Sequence, residues 1–167
     1  MEKDYKIIDG VLIIDKGRTE IGNNEFSGFE IKKVIIPEGV TKIGYWGFGA
    51  CKKLENVVLP SSLESVEREA FAMCPIKDIV FTDGCPHLKK VYISSFCSYS
   101  PWIEEQLEKC EFYMFGTKLF MHGEGSSSAV IPEGVEIIGE EAFLKDDIEE
   151  VVIPESVKII EEGAFSS

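Results

Sequence analysis

The sequence predicts a repeat solenoid, mostly β, made of short strands and turns, with one short helix near residues 101–110. Three observations predict it. The phrase Ile131–Phe143 (IPEGVEIIGEEAF) recurs as Ile36–Phe48 (IPEGVTKIGYWGF), Leu59–Phe71 (LPSSLESVEREAF) and Ile153–Phe165 (IPESVKIIEEGAF). The phenylalanines that close these phrases keep a steady interval: Phe26 to Phe48 is 22 residues, Phe48 to Phe71 is 23, Phe71 to Phe96 is 25 and Phe143 to Phe165 is 22. Each phrase is preceded by a short β-branched run that ends at a proline, which has no N–H for a sheet ladder. Self-similarity at a fixed period near two dozen residues marks stacked units, none of which buries its apolar face alone.

Taken in order, residues 5–16 (YKIIDGVLIIDK) read as a β-hairpin, because two β-branched runs flank Asp9-Gly10 and that dipeptide suits a tight turn with positive φ. A solenoid exposes apolar core at its ends, so terminal units are atypical. Residues 1–30 are therefore read as an N-terminal hairpin cap and a degenerate repeat ending at Phe26. Residues 31–100 hold the first repeats. In IKKVIIP, Ile31, Val34 and Ile36 point inward, while Lys33 and Ile35 point outward by the period-2 rule of strands. Glu38-Gly39 turns the chain, Val40, Ile43 and Phe48 form the second wall, and Gly44 is expected at a backbone conformation closed to other residues. The next repeat places Leu54, Val57 and Leu59, then Leu63, Val66, Ala70 and Phe71 inward. The third uses Ile76, Ile79 and Phe81, carries an insertion at Cys85-Pro86-His87, and resumes at Leu88, Val91 and Phe96.

The step from Phe96 to Phe143 is 47 residues, about two periods, and residues 101–128 interrupt the pattern. Ser100-Pro101 reads as an N-cap followed by a first-turn proline. PWIEEQLEKC sets Ile103, Leu107 and Cys110 on one face and pairs Glu105 with Lys109. Residues 112–123 repeat the shape of the first hairpin, with Gly116 matching Gly10, and Gly123–Ser128 reads as a loop. Repeats resume over 129–167, from Ala129 and from Ile148. The expected organisation is one domain, 1–167, with no C-terminal cap.

Composition sets the class. The chain has 167 residues, 44% of them hydrophobic, and a net charge of −13. The mean hydropathy is +0.03 and the pI about 4.6. That is a globular composition. It argues against a nucleic-acid partner, which needs clustered Lys and Arg. Residues 124–167 carry twelve Asp/Glu against Lys145 and Lys158, a net of −10 that reads as a solvated face. No D-x-[DN]-x-[DN]-G calcium loop occurs, and no metal or other cofactor is expected. No apolar run is long enough for a bilayer-spanning helix, so no membrane insertion is expected. Met1 is followed by EKDY, which carries no signal-peptide pattern. The five cysteines, Cys51, Cys74, Cys85, Cys97 and Cys110, contain no C-x-x-C pair. Cys51 and Cys74 each lie three residues after a repeat phenylalanine. They are expected to stack as buried thiols, close enough that a disulfide between them stays open.

The pattern L-x-x-V-x-I-P-x-x-V-x-x-I-x-x-x-A-F, present in Leu54–Phe71 and Ile148–Phe165, resembles the BspA-type leucine-rich repeat. SPWIEEQL with its following hairpin resembles an interruption common among such proteins. The resemblance covers the chain from about Tyr5 onward. It implies a leucine-rich-repeat right-handed superhelix. It also implies a bacterial or protist setting, often the cell surface, with adhesins binding host or neighbour-cell proteins. It brings no shared catalytic residues.

No catalytic constellation emerges from the residues. His87 and His122 are the only histidines, and a Cys85–His87 pair lacks a third orienting group. No Walker loop, G-x-S-x-G or H-E-x-x-H occurs. Glu140-Glu141 and Glu161-Glu162 read as outward residues on a coil edge. The expected site is a surface. One outward strand column reads Ile35, Val58, Val80, Val130 and Val152, and the column two residues earlier reads Lys33, Asn56, Asp78, Ser127 and Glu150. A β-branched ladder beside a mixed polar one suits a partner protein, although β-branched residues favour strands in any case. The expected function is a non-enzymatic protein–protein interaction module of the bacterial surface-adhesin kind. The alternative is an intracellular scaffold or self-assembling protein that forms a homodimer through its open C-terminal end. A cell-surface or secreted location follows if the sequence is a fragment, and a cytoplasmic one if it is complete.

Overall fold

Asp9 and Gly10 make the first reversal, with φ of 50° and 80°. Both lie in the left-handed region that a two-residue hairpin turn requires. They join β1 (Tyr5–Ile8) to antiparallel β2 (Val11–Ile14). The structure is a computed structural model describing residues 4–96, 100–109, 111–123, 127–143 and 147–166. Cys97 and Cys110 lie outside the described residues, as do residues 124–126 of the expected loop at 123–128. The chain divides into two compact units, Met1–Ile103 and Glu104–Ser167.

In the first unit three coils each contribute one short strand to each of two walls, and a fourth adds a strand to the first wall and only an isolated parallel bridge, Lys90 to Ser65, to the second. After the hairpin come β3 (Glu20–Ile21), β4 (Lys33–Ile35), β5 (Lys42–Ile43), β6 (Asn56–Leu59), β7 (Ser65–Val66) and β8 (Asp78–Phe81). One wall is a five-stranded sheet in the order β1-β2-β4-β6-β8, and the other is β3-β5-β7. All pairings beyond the hairpin are parallel. Leu12, Val34 and Val57 of the first wall and Ile21, Ile43 and Val66 of the second are fully or almost fully buried between them.

The repeat phenylalanines form the third side. Phe26 and Phe48 stack with ring centroids 5.4 Å apart, Phe48 and Phe71 at 5.1 Å, and Phe71 and Phe96 at 5.7 Å. Tyr5 closes the row edge-on against Phe26 at 5.2 Å. The first three rings are each held by a backbone bond to the next coil: the amides of Phe26, Phe48 and Phe71 donate to the carbonyls of Gly47, Ala70 and Ser95. Two left-handed residues flank each of the first three rings. Two positions before stand Asn24, Trp46 and Glu69, and two positions after stand Gly28, Ala50 and Met73, with φ between 54° and 74°. The thiols stack as expected. Cys51 donates to the Phe26 carbonyl at 3.1 Å and Cys74 to the Phe48 carbonyl at 3.1 Å, both as free, buried thiols.

Gly44 departs from the expectation. Its φ is not positive. It is glycine for space, because an added Cβ would lie 2.5 Å from Asn23 Oδ1 and 2.9 Å from the Asn23 nitrogen.

Helix α1 (Pro101–Lys109) occupies the predicted span as far as it is described. Ser100 Oγ accepts the Ile103 amide at 3.4 Å, and Lys109 pairs with Glu105 one turn earlier. Trp102, on the first turn, packs on Phe81 at 5.8 Å and on Phe96 at 5.6 Å.

The second unit begins its sheets with a hairpin, β9 (Phe112–Phe115) and β10 (Lys118–His122), turned at Gly116 with φ of 58°. It continues with β11 (Ser128–Val130), β12 (Ile137–Ile138), β13 (Glu150–Val152) and β14 (Ile159–Ile160). Ser128 is thus a strand residue rather than the end of a loop. The sheets run β14-β12-β10-β9 and β11-β13. Leu119, Ile131, Val135, Ile138 and Phe143 form the buried cluster between them.

His122 fills the phenylalanine position missing from the long interval. Its ring stacks on Phe143 at 4.9 Å, and its amide donates to the Ala142 carbonyl at 2.7 Å, as that of Phe143 does to Ala164. Lys118 is buried, with Nζ 3.0 Å and 2.8 Å from the two carboxylate oxygens of Glu161. Glu161 is therefore a half-buried partner of a buried cation and not an outward residue on a coil edge.

Candidate functional site

The parallel register decides which outward residues meet. In the first unit Lys33 stands opposite Asn56 and Asn56 opposite Asp78, while Ile35, Val58 and Val80 align in the same way. Both expected columns therefore form there. The register also adds a rung, because Ile13 on β2 pairs with Ile35. The ladder Ile13–Ile35–Val58–Val80 is an apolar stripe across four strands, half-buried at Ile13 and Val58 and open at Ile35 and Val80. Cross-strand β-branched neighbours of this kind contribute roughly 0.2–1 kcal/mol each to the sheet. The hairpin's own spacing signals the extra rung: Ile13 precedes Ile35 by the 22 residues of the repeat.

At the hairpin end the stripe sinks into a depression of about 530 Å³ lined by Lys6, Ile13, Lys16, Ile35, Pro37 and Glu38. Its floor is apolar and its rim carries both signs of charge. The Glu38 carboxylate accepts the Ser61 amide at 2.9 Å and the Ser61 hydroxyl at 3.1 Å. These bonds, the amide's first, hold it below the ordinary carboxylate range.

In the second unit Val130 pairs with Val152, and Ser128 with Glu150. Val130 and Val152 are both exposed. The polar column there runs through Ser128, not Ser127. Outward residues recur every second position, so Val130 shares its face with Ser128. Charge separates the two units. The first carries 13 Lys/Arg against 14 Asp/Glu, a net of −1, and the second 4 against 16, a net of −12.

The Cys85–His87 insertion offers no activated nucleophile. Cys85 is buried and donates its thiol to the Pro60 carbonyl at 3.2 Å, whereas His87 is exposed. Burial, with Glu38 and Asp83 adding to it, pushes the Cys85 thiol up to about 11, so it stays protonated at neutral pH. No described helix is long and apolar enough to cross a membrane.

Parallel strands paired coil to coil, with one phenylalanine per coil, define a leucine-rich-repeat solenoid fold. The BspA type leucine rich repeat region matches the chain in six copies over residues 19–120 and 86–167. The chain belongs to the BspA-type leucine-rich-repeat family, whose repeats act generally as protein-interaction modules. No curated protein matches it. Among solved structures, a leucine rich cell surface protein from Faecalibacterium prausnitzii is 22% identical over 98% of this chain, with a TM-score of 0.37. The leucine rich repeat protein of T. pallidum is 19% identical over 93%, with a TM-score of 0.48. A leucine-rich repeat protein from Eubacterium ventriosum is 14% identical over 94%, with a TM-score of 0.39. The chain spans 38%, 82% and 59% of those three proteins respectively.

Proposed function

We propose that the chain is a non-enzymatic protein-binding module whose partner lies on the outward sheet face. The carrying observation is the apolar ladder Ile13–Ile35–Val58–Val80, held in register on parallel strands and open to solvent at Ile35 and Val80. Val130 and Val152 offer a second, shorter patch of the same kind, flanked by Glu150. Lys33, Asn56 and Asp78 border the ladder and supply polar specificity. The finer reading, a bacterial surface adhesin, rests on family membership alone, and a fold does not fix a ligand.

The test is a pull-down with the purified chain against extracellular-matrix and neighbour-cell surface proteins, with lysate of its own cells in parallel. Val58→Lys combined with Val152→Lys is expected to abolish capture of the surface partner while leaving the circular dichroism spectrum and melting midpoint unchanged. Capture that survives the double variant overturns the sheet face as the binding surface.

A specific observation favours a second reading, a scaffold that assembles through its last described coil. Ile153, Ile159, Ile160 and Phe165 are exposed there, beside a depression of about 460 Å³ lined by Phe143, Ile148 and Val151. On this reading light scattering finds concentration-dependent dimers, and Phe165→Asp removes them. A monomer at every concentration excludes it.

A further inference from the structure

Trp46 breaks the rule of its column. The left-handed position two residues before each phenylalanine holds Asn24, Glu69, Glu141 and Gly163 in other coils, but here it holds an indole at φ of 54°. A bulky aromatic in that region is uncommon, and such strain persists where the surroundings fix it. The surroundings are visible. The indole lies against Gly49, where a Cβ would come within 2.3 Å of Trp46 Cε3. Its Nε1–H donates to Glu69 Oε2 at 2.6 Å. The Tyr45 hydroxyl donates to the same oxygen at 3.1 Å. The two rings stand 6.4 Å apart and tilted by 41°, and Tyr45 is 45% exposed.

The donor and acceptor inventory selects the ligand. Both aromatic donors are spent on Glu69 Oε2, so what the site offers outward is the exposed Tyr45 ring, the half-buried Trp46 ring and the second carboxylate oxygen. A sugar needs donors as well as acceptors and finds few here. A positively charged, donor-only group finds a cation–π surface and a carboxylate together. The next coil already uses that chemistry internally, with the Arg68 guanidinium 4.5 Å from the centre of the Tyr92 ring.

We propose that Tyr45, Trp46 and Glu69 form a docking point on the loop edge for a basic side chain of a partner protein, arginine in particular. Guanidinium stacks flat on an aromatic ring while donating sideways to a carboxylate, which ammonium does less well. This point lies on a different side of the coil from the outward sheet face and stands independently of that reading.

The two tryptophans make the test direct, because Trp46 sits at the site and buried Trp102 serves as an internal control. The full chain is titrated with N-acetyl-arginine amide, N-acetyl-lysine amide, N-acetyl-glutamate amide and methyl glucoside, while both indole N–H cross-peaks are followed by NMR. The arginine amide is expected to move the Trp46 peak saturably, in the tens-of-millimolar range that an exposed cation–π contact and an exposed ion pair supply together, and to leave Trp102 in place. Lysine amide moves it less, and the other two do not move it. Glu69→Gln keeps an acceptor for both ring donors and removes the charge, so it preserves the fold and weakens the arginine response about fivefold. A Trp46 peak that ignores arginine, responds equally in Glu69→Gln, or follows the glucoside instead overturns the proposal.

Discussion

Phe71→Ala is expected to destabilise the first unit by about 4 kcal/mol, the middle of the range for an aromatic removed from a core. Phe71 is fully buried and stacks on both sides, at 5.1 Å from Phe48 with the rings 5° apart, and at 5.7 Å from Phe96. Its backbone is pinned by the bond to Ser95, so the coil cannot slide in to fill the space. Stacked coils contact only their neighbours, so the loss falls on two interfaces at once. Phe165→Ala is the matched control: among the described residues that ring stacks only on Phe143, and it is 42% exposed. Its removal is expected to cost about 1 kcal/mol. Urea unfolding of both variants checks the contrast, and equal losses would mean that the stack is not the unit of stability.

Glu161→Leu is expected to cost the second unit about 3 kcal/mol. The Lys118 side chain is 4% exposed and that of Glu161 30%, and the carboxylate also accepts the Glu140 amide at 2.8 Å. Deleting the acid takes from a buried ammonium the carboxylate that grips it with both oxygens. Removing one member of a buried ion pair costs far more than a surface pair is worth. Replacing both residues, Lys118→Met with Glu161→Leu, is expected to recover most of the loss, since an apolar pair of similar volume carries no desolvation cost. Single-variant losses below about 1 kcal/mol in urea titrations would place the pair with ordinary surface ion pairs.

Much of this architecture is written locally in the chain. Pro37 and Pro60 close their strands, Asp9-Gly10 sets the hairpin, and Ser100-Pro101 starts the helix, because each acts through its own backbone and needs no distant partner. The outward columns followed from strand alternation, which also made a one-residue slip at Ser127 easy where a loop runs into a strand. What stayed hidden depends on contacts between coils. A lysine in a hairpin reads as solvated, and only the packed unit reveals that Lys118 is buried. The register of β10 shifts between Leu119 and Met121, a bulge that changes which later residues face inward. That shift helps bring His122 into a phenylalanine's position, and no sequence period announces it. Trp46 carries no signal at all until its φ is known.

The coil-to-coil register has a consequence for how such a protein changes over generations. Coils paired in regular register present the same backbone to the one before and the one after, so an in-frame duplication of such a coil's coding segment inserts a rung without disturbing its neighbours. Each such event lengthens the outward ladder by one strand spacing, about 4.8 Å, and copies an outward residue that is then free to vary. Reach is gained by copying and selectivity by substitution, while the phenylalanine stack is carried along unchanged.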